Sequence, residues 1–264
     1  MGRWGDGIYE SDSALDFFGM FVEERIKREM ALLTSPEQVK HTEQWLVQVL
    51  SVIEVILLFH EHRIGSVVCL WEQEKLVKRW RNTVLKVWDS EWNDNGHCRF
   101  LYSQQTQRKK YRHVIVDLFQ RLDDIVELLG DTTEVVDPYK YPIPYFSIDS
   151  GWFAGTLIED LTINTVFVLS EENRKRAIDL FYIEHVFVAV NIIAFLCETY
   201  NVSPDVEAKF VHKWFKQTTE IWKIRDEEED WTFLAFEEDR ALYQNVKRDF
   251  DRLRAVAEKY PPLF

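Results

Sequence analysis

What this chain has little of narrows it first. Only 3 cysteines occur in 264 residues (Cys69, Cys98 and Cys197), far apart and without a Cys-x-x-Cys pair. That pattern argues against a disulfide scaffold and a cysteine-rich zinc site, and the three read as reduced thiols of a cytoplasmic protein. Glycine (9) and proline (7) are also scarce, which disfavours a β-sandwich built on many tight turns. No apolar stretch follows residues 1–6, so no signal peptide is expected. No uninterrupted run reaches the about 20 apolar residues of a spanning helix. The two most apolar runs, 46–59 and 182–197, carry Glu54 and, in the second, Glu184, His185 and Asn191. Both read as buried core helices, and no membrane association is expected.

The content that is present suits a globular chain. With 46% hydrophobic and 14% aromatic residues, including 10 tryptophans, the protein can bury a substantial core. Its net charge of −13, from 45 acids against 32 bases, argues against a general nucleic-acid or anionic-membrane binder and favours a basic partner.

The apolar periodicity is helical throughout. Leu15, Phe18, Val22, Ile26, Met30 and Leu33 line one helical face, opened by a Ser13–Asp16 pair in capping-box relation. Ser35, Pro36 and Gln38 predict the start of a second helix that runs to about His62 and stops at Gly65. A third carries Leu76, Val77, Trp80, Val84 and Trp88 inward. A fourth begins near 101–103, with the stripe Tyr111, Ile115, Leu118, Leu122, Ile125 and Leu129. Pro138, Pro142 and Pro144, interleaved with tyrosines, make 131–150 a connector. Beyond it, 157–169 is read as a helix, Ser170 caps a long helix through Cys197, and Ser203-Pro204-Asp205 starts the next. On that helix Val206, Phe210, Trp214, Ile221 and Trp222 face inward. The last helix covers about 237–259.

The two halves echo one another. Trp80 and Trp88 stand eight residues apart, as do Trp214 and Trp222. Phe119-x-Arg121-Leu122 returns as Phe250-x-Arg252-Leu253, and Trp4-x-x-Gly7 with Asp12 returns as Trp152-x-x-Gly155 with Asp160. The expected architecture is therefore all-α, with two similar tandem four-helix lobes at 1–130 and 151–264 derived by internal duplication. The opening Trp4-Gly5-x-Gly7-Ile8-Tyr9-x-x-Asp12-x-Ala14-x-Asp16 resembles the signature of domain-of-unknown-function family 4259, a bacterial group of small helical domains. Val87-Trp88-Asp89-Ser90-Glu91 and Asp117-Leu118-x-x-Arg121-Leu122 resemble later segments of that family. The resemblance spans about residues 1–130 and departs at Glu10-Ser11. It implies a bacterial origin and supplies no activity or catalytic residues.

Candidate chemistry is sparse. Gly5 and Gly7 permit turns closed to other residues, Trp4 can anchor the segment, and Asp12 and Asp16 suit the positive end of a helix; all five are read as structural. His60-Glu61-His62 places two histidines on different helical faces, and His97-Cys98 has no matching second pair, so neither a metal nor another cofactor is expected. Glu54 and Glu184 inside apolar helices are read first as structural, hydrogen-bonded to Trp, Tyr or Arg across the bundle; beside His60 and His185 they are also the candidates for an enzyme, a hydrolase-type reading kept as the alternative. No Gly-rich phosphate loop, nucleophile elbow or Cys-His signature accompanies them. The basic run Arg108-Lys109-Lys110-x-Arg112-His113 could contact nucleic acid, but internal pairing is preferred. The favoured reading is a non-catalytic interaction protein, with bacterial immunity or phage defence as its setting by analogy with other small acidic proteins. Its basic protein partner would be gripped by Asp226, Glu227, Glu228, Glu229, Asp230 and Trp231, with Asp89, Glu91 and Trp92 as a second patch.

Overall fold

The computed structural model describes residues 8–9, 11–35, 43–65, 74–90, 105–130, 151–170, 173, 181–228 and 240–261. Every regular element among them is helical, as the periodicity requires: α1 (Asp12–Phe17), α2 (Glu24–Leu33), α3 (Glu43–Glu61), α4 (Glu74–Ser90), α5 (Gln105–Gly130), α6 (Trp152–Val168), α7 (Phe181–Tyr200), α8 (Ala208–Glu228) and α9 (Arg240–Lys259). A π-helical segment, Phe18–Glu23, joins α1 to α2 without a break. The connector 131–150 and the predicted starts near Pro36 and 101–103 lie outside the described residues.

Two compact units result. One contains Phe21–Phe153; the other contains Met1–Met20 together with Ala154–Phe264. By contact, then, the divisions fall at 20/21 and 153/154, and the opening segment groups with the later helices instead of the 21–130 stretch that it precedes. The physical reason is on α1, whose buried Ala14 and Phe17 pack against α7. Phe17 stacks on the His185 ring with centroids 4.5 Å apart.

In the first unit α4 packs on α5, and α3 packs on α2 and α5. Its core includes Val52, Ile53, Trp80, Val84, Trp88, Ile115 and Phe119. Trp80 meets Phe119 edge-on, and the Trp45 indole donates to the Leu33 carbonyl at 2.8 Å. Within this unit the Ser51 hydroxyl accepts from the Phe153 amide at 3.0 Å.

In the second unit α7 is central, packing on α1, α8 and α9. The stretch Ile183–Tyr200 is long and apolar enough to cross a membrane, but 78% of it is buried inside the fold. The C-terminal turns of α6 leave Ile163, Val166 and Phe167 exposed.

Several local expectations are corrected. The cap of α1 is Ser11, not Ser13: Ser11 is extended (φ −145°) and its hydroxyl accepts from the Ala14 amide at 3.1 Å. At the end of α3 both Arg63 (φ 53°) and Gly65 (φ 79°) are left-handed, so the glycine stands near the stop as expected while the cap itself closes at Arg63. Ile64 donates to Phe59 O at 2.8 Å and Arg63 to His60 O at 3.2 Å, the paired bonds of a Schellman cap. The helix thus stops as soon as its last carbonyls find donors. Ser203-Pro204-Asp205 is a turn ahead of α8, with the Ser203 hydroxyl accepting from the Asp205 amide, and the helix begins at Ala208. Phe210 is exposed, not inward, and Lys209 sits over its ring.

Candidate anion-binding face

Helix α4 is divided by its sequence into two unlike sides. Val77, Trp80, Val84, Val87 and Trp88 are buried. On the opposite side Lys75, Lys78, Arg79, Asn82, Thr83 and Lys86 line one shallow, open groove of about 480 Å³. A period of 3.6 residues puts these six positions within one arc of the helix surface. Four of them are cations, and all four are exposed. Lys75, Arg79 and Lys86 make no ion pair among the described residues.

The neighbouring carboxylate is already committed. Asp89, one turn beyond Lys86, accepts from Arg112 Nε at 2.9 Å and Nη2 at 3.0 Å. This two-point pair with α5 raises the Arg112 pKa, first through the hydrogen bond and then through the charge of Asp89. On the far side of α4, Arg81 pairs with Asp123 of α5. Asp89, the described carboxylate on the groove side, is therefore neutralised by an arginine of α5.

Sequence reasoning missed this face. Its signal was available: basic residues at spacings of three and four on the reverse of the tryptophan stripe. In the basic run 108–113, Arg112 forms the internal pair described above and His113 is exposed. The side chains of Arg108, Lys109 and Lys110 lie outside the described residues.

The expected acidic-aromatic patch is only partly visible. Asp226, Glu227 and Glu228 occupy the last turn of α8 by backbone, and their side chains are not described; Glu229, Asp230 and Trp231 lie outside the described residues. In the second patch Asp89 is paired, and Glu91 and Trp92 lie outside. Of the opening motif, Trp4, Gly5 and Gly7 lie outside; Asp12 stands half-buried in the first turn of α1 and Asp16 is exposed.

The enzyme candidates occupy a different setting. Glu184 is buried and accepts from the Ser11 hydroxyl. His185 beside it is buried too, and that burial pulls its pKa down to about 4. Glu54 is buried on α3. Half-buried His60, six residues further on, has its pKa lowered by burial. Near Glu184, the Tyr9 hydroxyl donates to Asn191 Oδ1 at 2.9 Å, and Asn191 Nδ2 donates to Asp249 Oδ2 at 2.8 Å. Asp249 Oδ1 accepts from Arg252 Nη1 at 2.9 Å, and Arg252 also grips Glu198. Burial, reinforced by Asp249, holds the Tyr9 pKa well above its usual value, so this phenol stays a donor. These groups fasten the opening segment and α9 to α7. Burial also pushes the Cys197 thiol up to about 12, which leaves it un-ionised and unreactive. Among the described residues no three His, Cys, Asp or Glu side chains converge as metal ligands would.

Compared with known families, curated proteins and solved structures, the chain matches none.

Proposed function

We propose that this protein acts by binding, without catalysis, and that the basic face of α4 is its recognition surface for an anionic partner. One observation carries the reading: four exposed cations gathered on one stripe of a chain whose net charge is −13. Concentrated charge on a helix that already buries its other side contributes nothing to the core, whereas it attracts a complementary surface and fixes its orientation. The buried, hydrogen-bonded state of Glu184 and the burial of His185 favour the same reading over a hydrolase.

The test uses the full chain as bait in extract of its native host. Wild type is compared with a Lys75→Glu/Arg79→Glu/Lys86→Glu variant and with one carrying Asp226, Glu227, Glu228 and Glu229 changed to lysine. Loss of a specific partner with the first variant alone supports the α4 face. Loss with the second alone restores the acidic patch and its basic partner. Substrate turnover by the purified protein in an activity screen would overturn the non-catalytic reading. A bacterial setting in immunity or defence belongs to the same proposal, and an effector encoded next to this gene would favour it.

We also read α3–α5 and α7–α9 as diverged copies. Both sets pair the second helix with the third and the first with the third. Arg63 and Asn201 hold equivalent left-handed caps, with Val202 donating to Cys197 O as Ile64 does to Phe59 O. A superposition of α3–α5 on α7–α9 that leaves Trp80 and Trp214 out of register would sink this reading.

A further inference from the structure

The binding role proposed above leaves the chemistry of the partner open, and the shape of the α4 face narrows it. We infer that the face takes an acidic helical segment of another protein, laid along α4 with its carboxylates in register with the cations. This inference rests on the α4 face being the recognition surface.

The spacing is the first argument. Lys75, Arg79, Asn82 and Lys86 follow one another at intervals of four, three and four residues. That is the seam spacing with which two helices run side by side. A partner helix with acids at the same intervals meets Lys75, Arg79 and Lys86 with three of them and the Asn82 amide with the fourth, and Thr83 adds a second uncharged hydrogen-bonding group in the middle of the groove. The aliphatic stems of the lysines offer apolar contact beneath their charged ends.

Length and surroundings supply the second argument. From Lys75 to Lys86 the stripe runs about 16 Å, or three helical turns. A nucleic-acid duplex extends beyond such a stripe in both directions, and its further phosphates would meet a chain with a large negative excess. Single strands are held by exposed aromatics on which bases stack. The tryptophans of α4, Trp80 and Trp88, are buried on its other side. A short acidic helix needs neither a longer basic track nor a stacking platform.

The experiment measures fluorescence anisotropy of labelled probes with the full-length protein. The probes are a helical peptide with glutamates at intervals of four, three and four, a peptide of the same composition with that order scrambled, and a short single-stranded and a duplex DNA. The variants are Lys75→Glu/Arg79→Glu/Lys86→Glu and the milder Lys75→Gln/Arg79→Gln/Lys86→Gln, each checked for unchanged helicity. The expected result is salt-sensitive binding of the patterned peptide, weakened at least tenfold by the reversed charges and several-fold by the neutral set, with the scrambled peptide clearly weaker. Equal binding of the two peptides overturns the helical register. Preference for either DNA overturns the inference in favour of nucleic acid while leaving an anionic partner in place. Binding of no probe overturns both the inference and the α4 face as a recognition surface.

Discussion

Acidification should loosen the unit centred on α7, and His185 is the group that makes it do so. The imidazole is buried against Phe17, and burial lowers its pKa from 6.5 to about 4. Between those two values the unfolded chain binds a proton that the folded chain does not. Stability therefore rises with pH across that window and is lost as pH falls through it. The contribution is essentially complete above the unfolded value. It falls by about 2 kcal/mol near pH 5 and by about 3 kcal/mol near pH 4. Amide hydrogen exchange over 183–200, corrected for the intrinsic pH dependence of exchange, follows this unit directly. His185→Phe keeps a ring stacked on Phe17 and removes the titrating group. From about pH 7.5 to pH 5, protection in wild type should fall about 30-fold more than in the variant. Whatever the substitution does to stability at neutral pH cancels, because the comparison is between two slopes. The same fall in both proteins would refute the argument.

Other outcomes follow from single contacts. Arg252→Met leaves Asp249, 1% exposed, with the Asn191 amide as its hydrogen-bond donor and the Arg248 guanidinium 3.7 Å away. Because Arg252 is itself partly exposed, a loss of about 3 kcal/mol, at the low end for a broken buried pair, is expected in urea denaturation. Ser11→Ala removes both the cap of α1 and the hydroxyl that Glu184 accepts from. It should cost about 2 kcal/mol and raise exchange in α1 before α9. Trp80→Ala empties a fully buried site and should cost about 3–5 kcal/mol, measured on the α3–α5 unit. Arg112→Ala breaks an exposed pair and should change stability by less than about 1 kcal/mol. It takes the two-point guanidinium partner from Asp89, one turn beyond Lys86, so a more negative groove edge should weaken binding of the acidic peptide although the cations of α4 are untouched.

The sequence by itself determined that the protein is helical and where most of its helices run. Apolar residues at three- and four-residue spacing commit a segment to a helix whichever neighbour it later meets, so Trp80, Ile115 and Leu122 could be placed on buried faces from their positions alone. It also identified Glu184 and Glu54 as carboxylates within apolar helices, since a charged letter among apolar ones is visible without coordinates. The tertiary structure decided what those groups do. That Ser11 turns its hydroxyl to Glu184, and Tyr9 reaches Asp249 through Asn191, depends on contacts between residues 58 to 182 positions apart. No local pattern encodes such pairings. The division into units was hidden for the same reason: the affiliation of residues 1–20 is settled by what Phe17 stacks on, not by chain order. The basic face of α4 stands between these cases. Its periodicity was written in the sequence, but a cation's freedom depends on whether an acid reaches it. Only the arginines that occupy Asp89 and Asp123 show that these two acids are committed elsewhere.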